Sequence, residues 1–237
     1  MKRKLVDIFD FSRSSEAVVT LLFEMFLGLV AVLSSIYVFL ALADEVLEKE
    51  TFFFDSIISN LVTAFRTPFM TEVMLVVTFL GGNYFLALAI ITTILLLWKK
   101  HRKDAIMFSF IFFSAVGLNL ILKEIFQRPR PDEPLIIESL YSFPSGHAMN
   151  SFVFYAALTY FVFRHMKNRK LGMLFSFLAG LLVLLIGISR VYLGVHYASD
   201  VIAGFLAGLC WMGVVILIEK TVLFFRLFRE FENKKEY

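Results

Sequence analysis

The sequence predicts an all-α polytopic membrane protein, with six transmembrane helices plus a short interfacial amphipathic helix. Three observations predict it. Hydrophobic residues make up 59% of the 237-residue chain and charged residues only 18%, against roughly 25% charged in an average soluble domain. Apolar runs long enough to cross a hydrocarbon core, which takes about 20 residues, recur between Val18 and Ile218. Basic residues gather in alternate connections between those runs. The same composition excludes other classes. Disordered chains lack such an apolar load, and the single cysteine, Cys210, has no partner for a disulfide framework. A net charge of +3, dispersed along the chain, does not point to nucleic acid.

The elements follow in order. The first span covers residues 18–43 and is interrupted only by Glu24. Lys2, Arg3 and Lys4 precede it, but a polar stretch through Glu16 intervenes and the apolar run is too long for the core of a cleaved signal, so the helix stays as an anchor. In the next connection, residues 54–65 place Phe54, Ile57, Ile58, Leu61, Val62 and Phe65 at helical spacing, with Asp55, Ser56, Ser59, Asn60 and Thr63 on the other face. Twelve residues cannot span. An amphipathic helix lying in the outer interface is the favoured reading, a helix packed on the bundle the alternative. The second span covers 72–98, with Gly81-Gly82-Asn83 at its middle, where the run could divide into two half-helices. The remaining spans are 105–122, 148–163, 171–188 and 197–218. No internal repeat is evident, and residues 1–237 read as one domain.

Six spans put both termini on one side. The N-terminus, the connections after spans two and four, and the C-terminal tail together hold seventeen basic residues, against six in the other connections. Cytoplasmic loops carry the excess of Lys and Arg. Both termini are therefore expected in the cytoplasm.

An ionisable side chain at the bilayer centre costs about 2.5–3.5 kcal/mol on insertion scales, so such residues invite a functional explanation. The outward ends of spans three to six carry Lys123, Arg130, Ser145, His147, Arg190, His196 and Asp200. His101 and His165 fall instead in basic cytoplasmic loops, where a solvated surface role is expected. In Pro144-Ser145-Gly146-His147, Ser145 is placed as an N-cap and Gly146 leaves an amide sterically open, which makes an anion site at the helix N-terminus. His196 and Asp200 are four apart and share a helix face, so the carboxylate can fix the imidazole tautomer and leave the other nitrogen free as nucleophile or base. Lys123 and Arg128, taken alone, would snorkel to the headgroups. Together these groups suit a phosphate undergoing nucleophilic displacement. The expected cofactor and metal requirement is none: three cations already supply the neutralisation a metal would give, and no Cys/His/carboxylate ligand cluster is visible in the sequence.

At these positions the chain resembles the type-2 phosphatidic acid phosphatase family of membrane lipid phosphatases. Its three-part signature reads here as Lys123…Arg130-Pro131, Pro144-Ser145-Gly146-His147 and Ser189-Arg190…His196…Asp200, without a substitution. Vanadium haloperoxidases resemble the same signature but are soluble, which this composition disfavours. The resemblance implies that His196 attacks phosphorus to form a phosphohistidine, Asp200 orients it, and His147 protonates the leaving oxygen. Lys123, Arg130, Ser145, Gly146 and Arg190 would hold the phosphoryl oxygens. It implies a lipid phosphate substrate in the bilayer (phosphatidylglycerophosphate, phosphatidate or undecaprenyl pyrophosphate), met at the outer face of a bacterial plasma membrane, with no nucleic acid and no obligate protein partner. Two rival functions remain at this point: a phosphotransferase passing the phosphoryl group to an alcohol, and a non-catalytic anion-binding or transport protein.

Overall fold

The computed structural model describes residues 2–48, 53–82, 84–99, 101–139 and 141–235. Lys49, Asn83 and Lys100, which entered the loop-charge count and the possible break in the second run, lie outside the described residues. All regular structure among the described residues is helical: α1 (Lys2–Leu47), α2 (Phe53–Thr63), α3 (Pro68–Phe79), α4 (Tyr84–Trp98), α5 (Arg102–Phe126), α6 (Gly146–His165), α7 (Arg169–Tyr192) and α8 (Ala198–Lys235). By contacts the chain, read from the sequence as one domain, divides into two compact units. One joins the N-terminal stretch through Ser34 with the C-terminal stretch from Gly213; the other is Ser35–Met212. Within the first unit Lys220 Nζ donates to Glu24 at 2.6 Å, which gives the one acidic residue of the first apolar run a counter-charge.

Local signals account for where the helices begin and end. Thr67 caps α3, accepting from the Met70 amide, and Pro68 takes the first position, where its missing N–H costs nothing. Asn168 caps α7 by accepting from the Leu171 amide. α5 ends at Gln127, which turns into the left-handed region at φ 45°, and Pro129 and Pro131 then prevent the helix from resuming.

Four of these helices are long and apolar enough to cross a membrane, at Val18–Leu47, Arg102–Phe126, Arg169–Tyr192 and Ala198–Arg226; α2 and α3 would add a fifth as a pair bent by 119°. Their outer faces are apolar, as Phe26 at 61% exposed on α1 and Phe177 at 69% on α7 show. A face of that kind fits lipid, whereas a soluble monomer keeps such patches small. The 20-residue α6, expected as a span over 148–163, is not among the four. It packs against both α5 and α7. Asn150, Ser151, Thr159 and two tyrosines lower its apolarity.

Two other expectations meet a different structure. The run over 72–98 is not one helix: α3 closes at Leu80, and the Gly81 and Gly82 amides bond back to Thr78 and Phe79 in tight turns. Consecutive glycines favour a break because each costs about 1 kcal/mol in a helix interior relative to alanine. On α2, the sequence pattern set Asp55 on a polar face turned to water. In the structure Asp55 is 1% exposed, while Phe54, Ile58 and Val62 pack against buried Ala148, Val191, Ala198 and Val201. Ile57, Leu61 and Phe65 are left exposed.

α5, α6 and α7 run alternately up and down, so the first turn of α5 meets the last turn of α6. There His101 and His165, expected as solvated surface residues, come together around Asp104. Their rings lie 4.4 Å apart, and His165 Nε2 is 2.6 Å from Asp104 Oδ2. This His/His/carboxylate cluster corrects the expectation that the chain has none. Arg164 also stands 3.7 Å from Asp104, a counter-charge for the carboxylate from the protein itself.

Candidate active site

At the other end of the same helices, α5 and α7 finish while α6 and α8 begin. Ser145 is the N-cap of α6, and its side chain accepts from the Ala148 amide. Its own amide donates to the Asp200 carbonyl at 2.9 Å, so the starts of α6 and α8 are tied backbone to backbone. Gly146 follows in close contact with α5: an added Cβ would lie 2.9 Å from Asn119 Oδ1 and would push that side chain aside. Between α7 and α8 the chain reverses through Gly194 at φ 71°, a conformation L side chains rarely adopt. That turn delivers His196 to the base of α8.

The first turn of α8 fixes Asp200. Its Oδ2 accepts from the Tyr197 amide at 2.9 Å, the return half of a capping box. The same oxygen lies 3.3 Å from His196 Nδ1. The His196 side chain is buried, and burial together with the cations Arg190, Lys123 and Arg130 holds it well below the usual histidine range. A neutral imidazole donates from Nδ1 to Asp200 and keeps its lone pair on Nε2. Arg130 Nη1 is 3.4 Å from that Nε2.

Two residues the sequence reading gave no part complete this corner. Arg128 does not snorkel. It is 7% exposed and donates from Nη1 to Asp200 Oδ1 at 2.6 Å and to Ser199 Oγ at 2.7 Å. Its Nη2 donates to Asp55 Oδ2 at 3.1 Å, and the guanidinium lies 4.1 Å over the Tyr197 ring. Asp55 in turn accepts from the Ser199 amide at 2.7 Å and from the Ser199 hydroxyl at 2.6 Å. The Arg-Pro-Arg-Pro repeat was the only available signal for Arg128. Spacing gave none for Asp55, which is 73 residues away.

A cavity of roughly 260 Å³ opens in front of His196 and is lined also by Lys123, Arg130, Gly146, His147 and Asn119. An adjoining cavity of roughly 450 Å³ shares Gly82, Glu138 and His147 with it and adds Arg190 and Thr78. Arg190 is 1% exposed. It donates from Nη1 to Thr78 Oγ1 at 2.6 Å and from Nη2 to Glu138 Oε1 at 2.5 Å, while its Nε has no partner among the described residues. Lys123 donates to the Tyr141 and Ser142 carbonyls. Arg130 donates to the Val195 carbonyl at 2.7 Å and the Ser139 carbonyl at 2.9 Å. Of the eight residues singled out from the sequence, five thus line one cavity and Arg190 lines its neighbour. Ser145 and Asp200 stand behind, fully buried. A neutral, oriented imidazole facing a space ringed by lysine and arginine can attack an electrophile that carries negative charge.

The family model described as the PAP2 superfamily matches residues 104–223. Phosphatidylglycerophosphatase B of Bacillus subtilis (strain 168) is 37% identical over 178 residues, covering 73% of this chain and 86% of that protein. Undecaprenyl-diphosphatase of Sulfolobus acidocaldarius is 32% identical over 139 residues, covering 55% of this chain and 63% of that one. Among solved structures, the transmembrane PAP2-type phosphatidylglycerolphosphate phosphatase from Bacillus subtilis superposes with a TM-score of 0.74 at 35% identity, covering 81% of this chain and 96% of that chain.

Proposed function

The chain belongs to the PAP2 superfamily and is a lipid phosphatase of it; from that premise we propose that it removes the terminal phosphate of a membrane lipid phosphate through a phosphohistidine on His196. Nε2 of His196 forms the N–P bond as the P–O bond to the leaving group breaks, and His147 gives that oxygen its proton. Asp200 holds the imidazole and balances the positive charge it gains. Lys123, Arg130 and Arg190, with the open start of α6 at Gly146, carry the charge on the phosphoryl oxygens, while Ser145, expected among those contacts, caps that start from behind. Water then attacks phosphorus, returns a proton to His147 and releases inorganic phosphate, leaving His196 neutral again. The observation that carries this reading is the pairing of buried His196 with Asp200 at the wall of a cavity it shares with His147, Lys123, Arg130 and Gly146.

The substrates in view are phosphatidylglycerophosphate, phosphatidate and undecaprenyl pyrophosphate, each of which presents a terminal phosphoryl group on a lipid. In the bilayer the chain takes six spans with both termini cytoplasmic, α2 at the outer interface, and the site at the extracytoplasmic face. The deciding experiment is phosphate release from each of the three lipids by detergent-purified protein in EDTA. Turnover is expected to persist under the chelator and to vanish in His196→Ala. Retained turnover in His196→Ala, or a loss with EDTA reversed by a divalent ion, overturns the mechanism.

A further inference from the structure

Asp200 is fully buried, and the imidazole it orients is neutral, so the carboxylate needs a counter-charge from elsewhere in the protein. Arg128 provides it at 2.6 Å, and does so on one oxygen only. Oδ1 is taken by the guanidinium, which leaves Oδ2 for the Tyr197 amide and His196 Nδ1. The carboxylate therefore cannot rotate without breaking a charged hydrogen bond. Arg128 is itself held on two sides, by Asp55 on α2 and by the face of Tyr197. Asp55 also grips the first turn of α8 through both the amide and the hydroxyl of Ser199. One guanidinium between two carboxylates leaves one net negative charge beside an imidazole that turns positive as it bonds phosphorus.

We propose that Arg128 and Asp55 are positioning residues of the reaction: together they fix the rotation of Asp200 and set the net charge behind His196, so that helix α2 is coupled to the nucleophile. The inference rests on the phosphohistidine reading above. Neither residue lines either cavity at the site, so the pair should act on the rate of chemistry and leave substrate binding alone.

The test is steady-state kinetics on short-chain phosphatidate in detergent micelles with Arg128→Gln, Arg128→Lys, Asp55→Asn and the double variant Arg128→Gln/Asp55→Asn. Small misplacements of a reacting group cost up to about 100-fold. Arg128→Gln is therefore expected to lower kcat by ~10- to 100-fold and Asp55→Asn by ~3- to 10-fold, with KM and inhibition by inorganic phosphate within about twofold. Arg128→Lys, which keeps the charge but loses the planar fork that spans Asp200 and Asp55, should fall between wild type and Arg128→Gln. Two residues acting through one carboxylate are not additive, so the double variant should be no slower than Arg128→Gln alone. Asp55→Asn keeps the shape and one oxygen to accept from the Ser199 amide, and it decides the matter if Arg128→Gln does not fold. The proposal is overturned by a folded Asp55→Asn with unchanged kcat, by KM rising in step with any loss of kcat, or by additive losses in the double variant. His196→Ala runs alongside: full turnover there removes the phosphohistidine reading itself, whatever the Arg128 variants do.

Discussion

His196 carries its function only without a proton, and its surroundings enforce that state. Burial disfavours the imidazolium, and Arg190, Lys123 and Arg130 repel it further. A free histidine protonates near about pH 6.5; this one does so well below. The acid limb of kcat/KM is accordingly expected well below that value. Burial, with Arg190, His196, Arg130 and Lys123, pushes His147 down as well, to about 2, so it serves as general acid only once a bound phosphate offsets those cations. The alkaline limb that closes a bell is therefore expected in kcat, which reports the substrate complex. A rate climbing steadily to high pH would contradict the division of labour between the two histidines. The same shift has a sign in stability. The unfolded chain takes up the His196 proton first as pH falls, so the folded state loses ground below about 6.5 and gains nothing above it. At this scale the sequence was informative where a residue type is rare in its setting. A lysine, two arginines, two histidines and an aspartate at the ends of apolar runs stand out because the bilayer makes them expensive. Arg128 and Asp55 did not stand out, since an arginine beside prolines and an aspartate on an amphipathic helix each have an ordinary explanation.

Helices could be located from the sequence more readily than their faces could be assigned. In water an apolar stripe marks the side a helix buries, but in a membrane the lipid is as apolar as the core and the stripe no longer distinguishes them. α2 shows the consequence: Phe54 and Val62 turn inward beside a buried Asp55, while Ile57 and Leu61 of the same stripe are exposed. The break in the run over 72–98 was visible as two glycines, yet its purpose was not. Ending α3 there sets Thr78 in its last turn against Arg190, and Gly82 against His147. Among the described residues Arg190 Nε has no partner, so the Thr78 hydroxyl and Glu138 aim the guanidinium between them. Thr78→Val keeps the side-chain shape and removes that acceptor. A hydrogen bond to a charged group contributes about 1.5–3 kcal/mol, so KM and the inhibition constant for inorganic phosphate should each rise about 10-fold or more, with kcat changed less. Unchanged phosphate inhibition in Thr78→Val would mean that Arg190 is aimed by Glu138 alone.

For the molecule as a whole, sidedness decides which lipids can reach the site. The bundle places the loop that carries Arg128, Arg130 and Glu138 at one end, and the α6–α7 turn with the His101–Asp104–His165 cluster at the other. The proposed orientation rests on charge: the sequence reading counts seventeen basic residues in the termini and the connections expected on their side, Lys167 near the His165 cluster among them, and six in the other connections. The positive-inside bias acts during insertion, and it is what supports an exterior cavity in that proposal. Ile137 is 99% exposed in the cavity-side loop, which makes it a reporter that disturbs nothing packed. In a Cys210→Ser background, Ile137→Cys should react with a membrane-impermeant maleimide added to intact spheroplasts. Lys167→Cys should react only after permeabilisation. The reverse pattern would put the phosphatase on the cytoplasmic leaflet, and its substrates would then be lipids at the point of their synthesis instead of those delivered across the membrane.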